Sequence, residues 1–210
     1  MIPNKHCDIS DGLSSSNIRL VMFGVQRSGS SWLWQMLGDL LVDGVMKTHR
    51  RIYIPGVPVV AIHRDFRDVI VSHWRTWKPH AEFMSIADIY LHVGQMHEWT
   101  FALRSYSDNN ATIVRYDELL NDPRSTLTSI LASIGVSSTP EKINSVVASH
   151  TLEINKRISD SLSEPDLTRM LVPGHCHEGE IGCFARFLHP PERNLLEQLL
   201  ESDLRQFGYQ

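Results

Sequence analysis

The sequence has few cysteines, no long apolar run and no excess of positive charge. Its three cysteines, Cys7, Cys176 and Cys183, form no CxxC pair and are odd in number, which argues against a disulfide framework or a thiolate zinc site. Asp39, Asp43 and Lys47 interrupt the longest apolar candidate before it reaches the roughly eighteen residues of a membrane helix. Twenty Lys and Arg stand against 24 Asp and Glu, a formal charge of -4. No global basic field therefore exists to attract nucleic acid or an acidic membrane, and any anion site must be local. The polar stretch 1–17 lacks the basic-then-apolar order of a signal peptide. It is read as a leader before a single domain spanning 18–210, in a cytoplasmic protein. With 210 residues and 42% hydrophobic content, the chain can build one substantial core.

Short strands and helices alternate along this domain. An apolar run at 18–24 is followed by the loop Val25-Gln26-Arg27-Ser28-Gly29-Ser30-Ser31 and then by apolar residues at helical spacing from Trp32, which predicts strand, loop, helix. Further strands are predicted at 45–48, 58–63 and 111–115, and helices at 66–77, 85–106, 123–134 and 191–207. Asp65 is the N-cap of the second helix, and Pro79 stops it. In the last helix Leu195, Leu196, Leu199, Leu200 and Leu204 share one face and belong to the core. Residues 160–182 dissolve into Ser, Pro, Gly and His and read as a loop able to lie over a site. The alternation predicts a three-layer α/β fold, with a mostly parallel central sheet of about four or five strands and helices on both faces.

The loop between the first strand and helix is suited to a phosphate, because small residues admit the anion and the helix start offers backbone amides and a positive dipole end. It imitates the Walker loop, yet Ser30 stands where that motif requires Lys after the second glycine. Its only cation is Arg27. A second anion site is indicated by Arg64, at the end of the third strand, and Ser72, eight residues on and two turns into the next helix.

Arg27-Ser28-Gly29-Ser30-Ser31-Trp32 resembles the 5'-phosphosulfate loop of sulfotransferases that use 3'-phosphoadenosine 5'-phosphosulfate (PAPS), and Arg64 through Asp68 to Ser72 is similar to their 3'-phosphate element. The resemblance implies a P-loop-like fold and sulfuryl transfer from PAPS to a hydroxyl or amine of a small-molecule or glycan acceptor, leaving PAP. It implies further that Arg27, Ser28, Gly29, Ser30 and Ser31 hold the 5' end, Trp32 flanks adenine, Arg64 and Ser72 bind the 3'-phosphate, and no metal is required. Tyr116, in Tyr116-Asp117-Glu118-Leu119, resembles the family tyrosine that meets adenine. Thr151-Leu152 is similar to an element near the base, with Leu152 in place of an aromatic. Gly179 to Gly182 resembles part of the C-terminal cofactor loop, where His177 takes the place of the usual Arg and Cys183-Phe184 that of Asp-Trp. Asp65 and Asp68 are assigned to the helix start, since a carboxylate repels a phosphate but suits a helix N-terminus.

Lys47-Thr48-His49 ends the second strand. Histidine accepts a proton near neutral pH, and the resemblance implies that His49 is the catalytic base and that Lys47, with Arg27, supports the bridging oxygen. His73, His175 and His177 are the alternatives among eleven histidines. The intervals from Arg27 to Lys47 and from His49 to Arg64 are shorter than in larger relatives, which leaves Trp77, His80 and residues 159–177 as candidate acceptor walls. Two rival readings are a P-loop phosphotransferase and a PAP- or PAPS-binding protein without transfer activity.

Overall fold

The computed structural model describes residues 17–174 and 179–209. Four strands, β1 (Leu20–Gly24), β2 (Val45–Thr48), β3 (Val59–His63) and β4 (Thr112–Arg115), form one sheet in the order β2-β1-β3-β4. All three pairings are parallel, with Phe23 beside Thr48 and Ala61. Both faces of a parallel sheet must be covered, so its strands are apolar almost without interruption; β1 is buried at every position.

Alternation along the strands divides the core in two. Leu20 and Met22 of β1 and Val60 and Ile62 of β3 face one layer. That layer is made by α1 (Ser30–Leu41), α4 (Tyr116–Asn121), α5 (Pro123–Ser133) and α6 (Pro140–Ser149). Phe23 and Ala61 face the opposite layer of α2 (Phe66–Trp77), α3 (Ile86–Asp108), α8 (Pro190–Leu199) and α9 (Glu201–Gln206). A further helix, α7 (Leu152–Ser161), follows α6. The fold class is the expected three-layer α/β architecture, with four strands among the described residues. No described helix is long and apolar enough to cross a membrane.

The caps follow local chemistry. Asp65 accepts from Arg67 N at 3.0 Å and starts α2, and Ser85 forms a capping box with Asp88 at the head of α3. Helix 191–207 departs from expectation by breaking at Leu200, which ends α8 and precedes α9. Past that break Asp203 is buried and accepts from Arg104 at 2.8 Å and Thr100 at 3.2 Å, so contacts with α3 set the direction of the last turns. Leu196, Leu200 and Leu204 are buried, and Leu195 and Leu199 pack against the same core.

Candidate functional site

The C-terminal ends of β1 and β3 open into a cleft of about 640 Å³, part of it continuous with solvent. Its floor is the loop after β1. A side chain at Gly24 would place Cβ 2.2 Å from Ser30 Cβ, so the loop turns where only glycine fits. Gly29 has φ 83° and would meet the Tyr116 ring at 2.6 Å if it carried a Cβ. It stands at the N-cap of α1 without a side-chain cap, leaving first-turn amides for an anion. Ser28 is turned inward: its hydroxyl donates to Val25 O at 2.5 Å, with Ile62 O 3.3 Å away, and its N–H goes to Val25 O. Ser28 therefore closes the turn, while Arg27, Gly29, Ser30, Ser31 and Trp32 line the cleft.

The second anion element reaches the same cleft. Arg64 and Ser72 line it, and Arg27 Nε donates to Ser72 Oγ at 3.1 Å. Arg64 is 6% exposed and lies over the Tyr116 ring, 4.8 Å from its centroid. Its Nη2 donates to the Glu180 carbonyl and to Asp68 Oδ2 at 3.3 Å, while its Nε is buried without an acceptor. Such an orphaned donor fits an anionic ligand.

Asp68 does more than its assigned work at the helix start. Wholly buried, it also accepts from Gly182 N at 2.8 Å and Phe184 N at 3.0 Å. One carboxylate thus clamps Arg64 to the C-terminal segment and to the short 3-10 helix Cys183–Arg186. Burial, aided by Asp68, pushes the Cys183 thiol up to about 12, so it is a packing group and not a nucleophile.

The far end of the cleft is apolar, with Trp32, Tyr116, Leu152, Leu171 and Gly179 around it. Tyr116 is held between Gly29 and Gly179, and its hydroxyl donates to Gly179 O at 2.9 Å. Trp32 donates its indole N–H to His150 O, which fixes the ring against the start of α7. Thr151 caps α7 by accepting from Ile154 N at 3.2 Å, and Leu152, not Thr151, reaches the cleft. His177 lies outside the described residues, as do His175 and Cys176. Sequence reasoning missed one lining residue, Asn155, and set Leu171 among the candidate acceptor walls of 159–177, whereas it lines this cleft. Asn155 is 3% exposed and its side-chain oxygen has no donor. One helical turn from Leu152, it could have been found by projecting the α7 register.

Lys47 lies on β2, and His49 follows the last residue of that strand. Lys47 is buried and donates to Ser31 Oγ at 2.8 Å, tying β2 to the loop. His49 Nδ1 is 2.6 Å from Gly24 O. A carbonyl only accepts, so Nδ1 carries the proton and the basic lone pair of the neutral ring is on Nε2. His49 lines a second cavity, which none of Trp77, His80 or the described part of 159–177 enters. His73 is packed against His92, Trp77 and Trp99. Among the described residues no cluster of three His, Cys, Asp or Glu is arranged to hold a metal ion.

Residues 46–140 match the model of a sulfotransferase family. The matched segment includes Lys47, His49, Arg64, Ser72 and Tyr116, and it begins after the Arg27 loop. No curated protein matches the chain by sequence. Among solved structures, the mouse sulfotransferase SULT7A1 complexed with PAP is similar with a TM-score of 0.71 and 15% identity, over 90% of this chain and 84% of that one. Retinol dehydratase with androsterone and the inactive cofactor PAP gives a TM-score of 0.65 at 15% identity, over 92% and 82% of the two chains. Its complex with retinol and PAP gives 0.62 at 15%, over 88% and 80%. At this identity the likeness is one of fold.

Proposed function

From a chain that carries a sulfotransferase-family segment on a sulfotransferase fold, we propose a PAPS-dependent enzyme that moves the sulfuryl group to a hydroxyl or amine. The observation that carries this reading is the hydrogen bond from Arg27 to Ser72. It joins two anion-binding elements, 45 residues apart in sequence, in one cleft. A mononucleotide with phosphates on both sides of its ribose needs two such donor sets. Arg27, Ser30, Ser31 and the amides at the start of α1 form one; Arg64 and Ser72 form the other. Trp32, Tyr116, Leu152 and Gly179 would enclose the base, and the buried oxygen of Asn155 suits an exocyclic amine. PAP bound to the structural neighbours supports the same assignment.

Catalysis then falls to Lys47 and His49. As the acceptor oxygen or nitrogen bonds to sulfur, His49 Nε2 takes its proton and the bond from sulfur to the bridging oxygen breaks. The Lys47 ammonium, with Arg27, stabilises the charge gathering on that departing oxygen. The products are PAP and the sulfated acceptor, with the proton on His49.

Calorimetric titration with PAP, ADP and AMP at one salt concentration tests the binding half, because only PAP reaches both donor sets. Clear preference for PAP is expected, and equal or absent binding would overturn the reading. Release of PAP from PAPS in the presence of acceptors then tests transfer.

A further inference from the structure

Helix α3 carries apolar residues on two opposite sides. Ile89, Val93, Met96 and Leu103 are buried in the core. On the outer side Tyr90 is 58%, Leu91 62% and Phe101 61% exposed. A helix that is apolar all round is normally covered all round, and the described residues leave this outer face open. We propose that a second copy of the chain covers it, in a two-fold dimer whose α3 helices cross antiparallel at Gly94. The inference does not depend on the cofactor reading.

The register argues for self-association. At about 100° per residue, Ala87, Tyr90, Leu91, Glu98 and Phe101 all lie within about 60° of Gly94 around the helix, so one arc holds small residues, large apolar ones and a single carboxylate. A two-fold axis at Gly94 brings together residues equally far on either side of it. Ala87 and Phe101 are such a pair, a methyl group against an aromatic ring. Tyr90 and Glu98 are another, so the phenol of each copy can donate to the one carboxylate in the other's arc. The two Glu98 side chains stay about 12 Å apart along the axis, at 1.5 Å per residue.

Gly94 is the second argument. Glycine inside a helix costs stability relative to alanine, yet a Cβ at Gly94 would meet nothing within 4 Å. No packing within the described chain calls for glycine there, whereas two helix backbones crossing closely do. Area is the third. Tyr90, Leu91, Phe101 and the neighbouring Ile86, 50% exposed, offer about 100 Å² each, half of what such side chains can bury. That amounts to about 400 Å², a patch of the size that marks interaction sites. The small and polar residues between them bring the face toward the roughly 800 Å² per partner of a stable dimer. Glu98 and Phe101 also line the cavity that His49 enters, so Ala87 and Tyr90 of one copy complete the wall of the other's cavity.

Sedimentation equilibrium of the full chain from about 1 to about 100 µM, at or above the weakest affinities of interfaces this size, is expected to give twice the 24.0 kDa of one chain. Gly94→Leu sends its side chain into open space in the monomer but blocks the crossing, so association should weaken at least about tenfold while circular dichroism stays native. Tyr90→Glu sets carboxylates opposite one another and should weaken it similarly. Adding Glu98→Lys to Tyr90→Glu should restore the dimer, a rescue that a merely destabilised fold would not show. A dimer indifferent to both single substitutions, or no rescue by the charge pair, would overturn the proposal. A monomer across the whole range would also overturn it and leave the face to a different protein or an apolar surface.

Discussion

Asp68 allows two physical effects to be set against each other. Its buried carboxylate receives Gly182 N, Phe184 N and Arg64 Nη2, so Asp68→Asn keeps the shape but turns an NH2 toward at least one of these donors. It also takes the counter-charge from Arg64, itself 6% exposed. Removing one partner of a buried ion pair costs about 3–5 kcal/mol, and leaving one buried amide without an acceptor costs about 1–3 kcal/mol. These losses share a single carboxylate and do not add, so about 3 kcal/mol of destabilisation is expected, a sizeable part of the roughly 5–15 kcal/mol that holds a domain folded. Charge alone predicts tighter anion binding, because the substitution makes the surroundings of Arg64 more positive. Geometry predicts the reverse, since Asp68 holds the segment that supplies Gly179 to the cleft wall and the Glu180 carbonyl to Arg64. The geometric effect should win, with PAP affinity falling about tenfold or more, as for loss of a charged hydrogen bond. Urea unfolding and calorimetric titration of the same preparation measure both quantities. Unchanged stability together with tighter PAP binding would refute the reasoning.

Three further outcomes are expected. Arg64→Ala should abolish measurable PAP binding, whereas His49→Ala should bind PAP nearly normally and lose turnover; normal turnover in the latter would remove His49 as base. Gly29→Ala combines positive φ with a Cβ 2.6 Å from the Tyr116 ring. Left-handed backbone alone costs about 1–2 kcal/mol, so thermal unfolding should show at least that loss, and an unchanged midpoint would count against the packing described. His63 hydrogen-bonds Tyr209, and burial, with Arg115 adding to it, lowers its pKa from 6.5 to about 4. The unfolded chain therefore protonates this residue first on acidification, and stability present above about pH 6.5 is lost as pH falls toward 4. The loss amounts to at most about 3 kcal/mol. His92, also lowered by burial, acts in the same direction. Urea unfolding from pH 7.5 to 4.5 should show the decline, and His63→Gln should flatten it; a wild-type profile level down to pH 5 would contradict the assignment.

Much of the frame was legible because it is written locally. Strand Val45–Thr48 and helix Phe66–Trp77 have the predicted limits, since apolar periodicity and the Asp65 cap act within a few residues. Helices α4, α6 and α7 were not anticipated, although Thr139 and Thr151 cap the last two locally. Of the residues assigned to the cofactor, Ser28 and Thr151 turn their hydroxyls to the loop turn and the helix cap, a choice that depends on which oxygen or amide is nearest once the chain has closed.

The sequence by itself determined the alternating strands and helices and the residue types able to hold an anion, because periodicity, caps and glycine positions are properties of short segments. Tertiary structure alone decided that Arg27 meets Ser72, that Asp68 grips residues 114 and 116 positions away, and that His49 lines a cavity with Glu98 and Trp99 of α3. Those relations join segments that only the folded sheet brings together, and no pattern along the chain carries the distance between them.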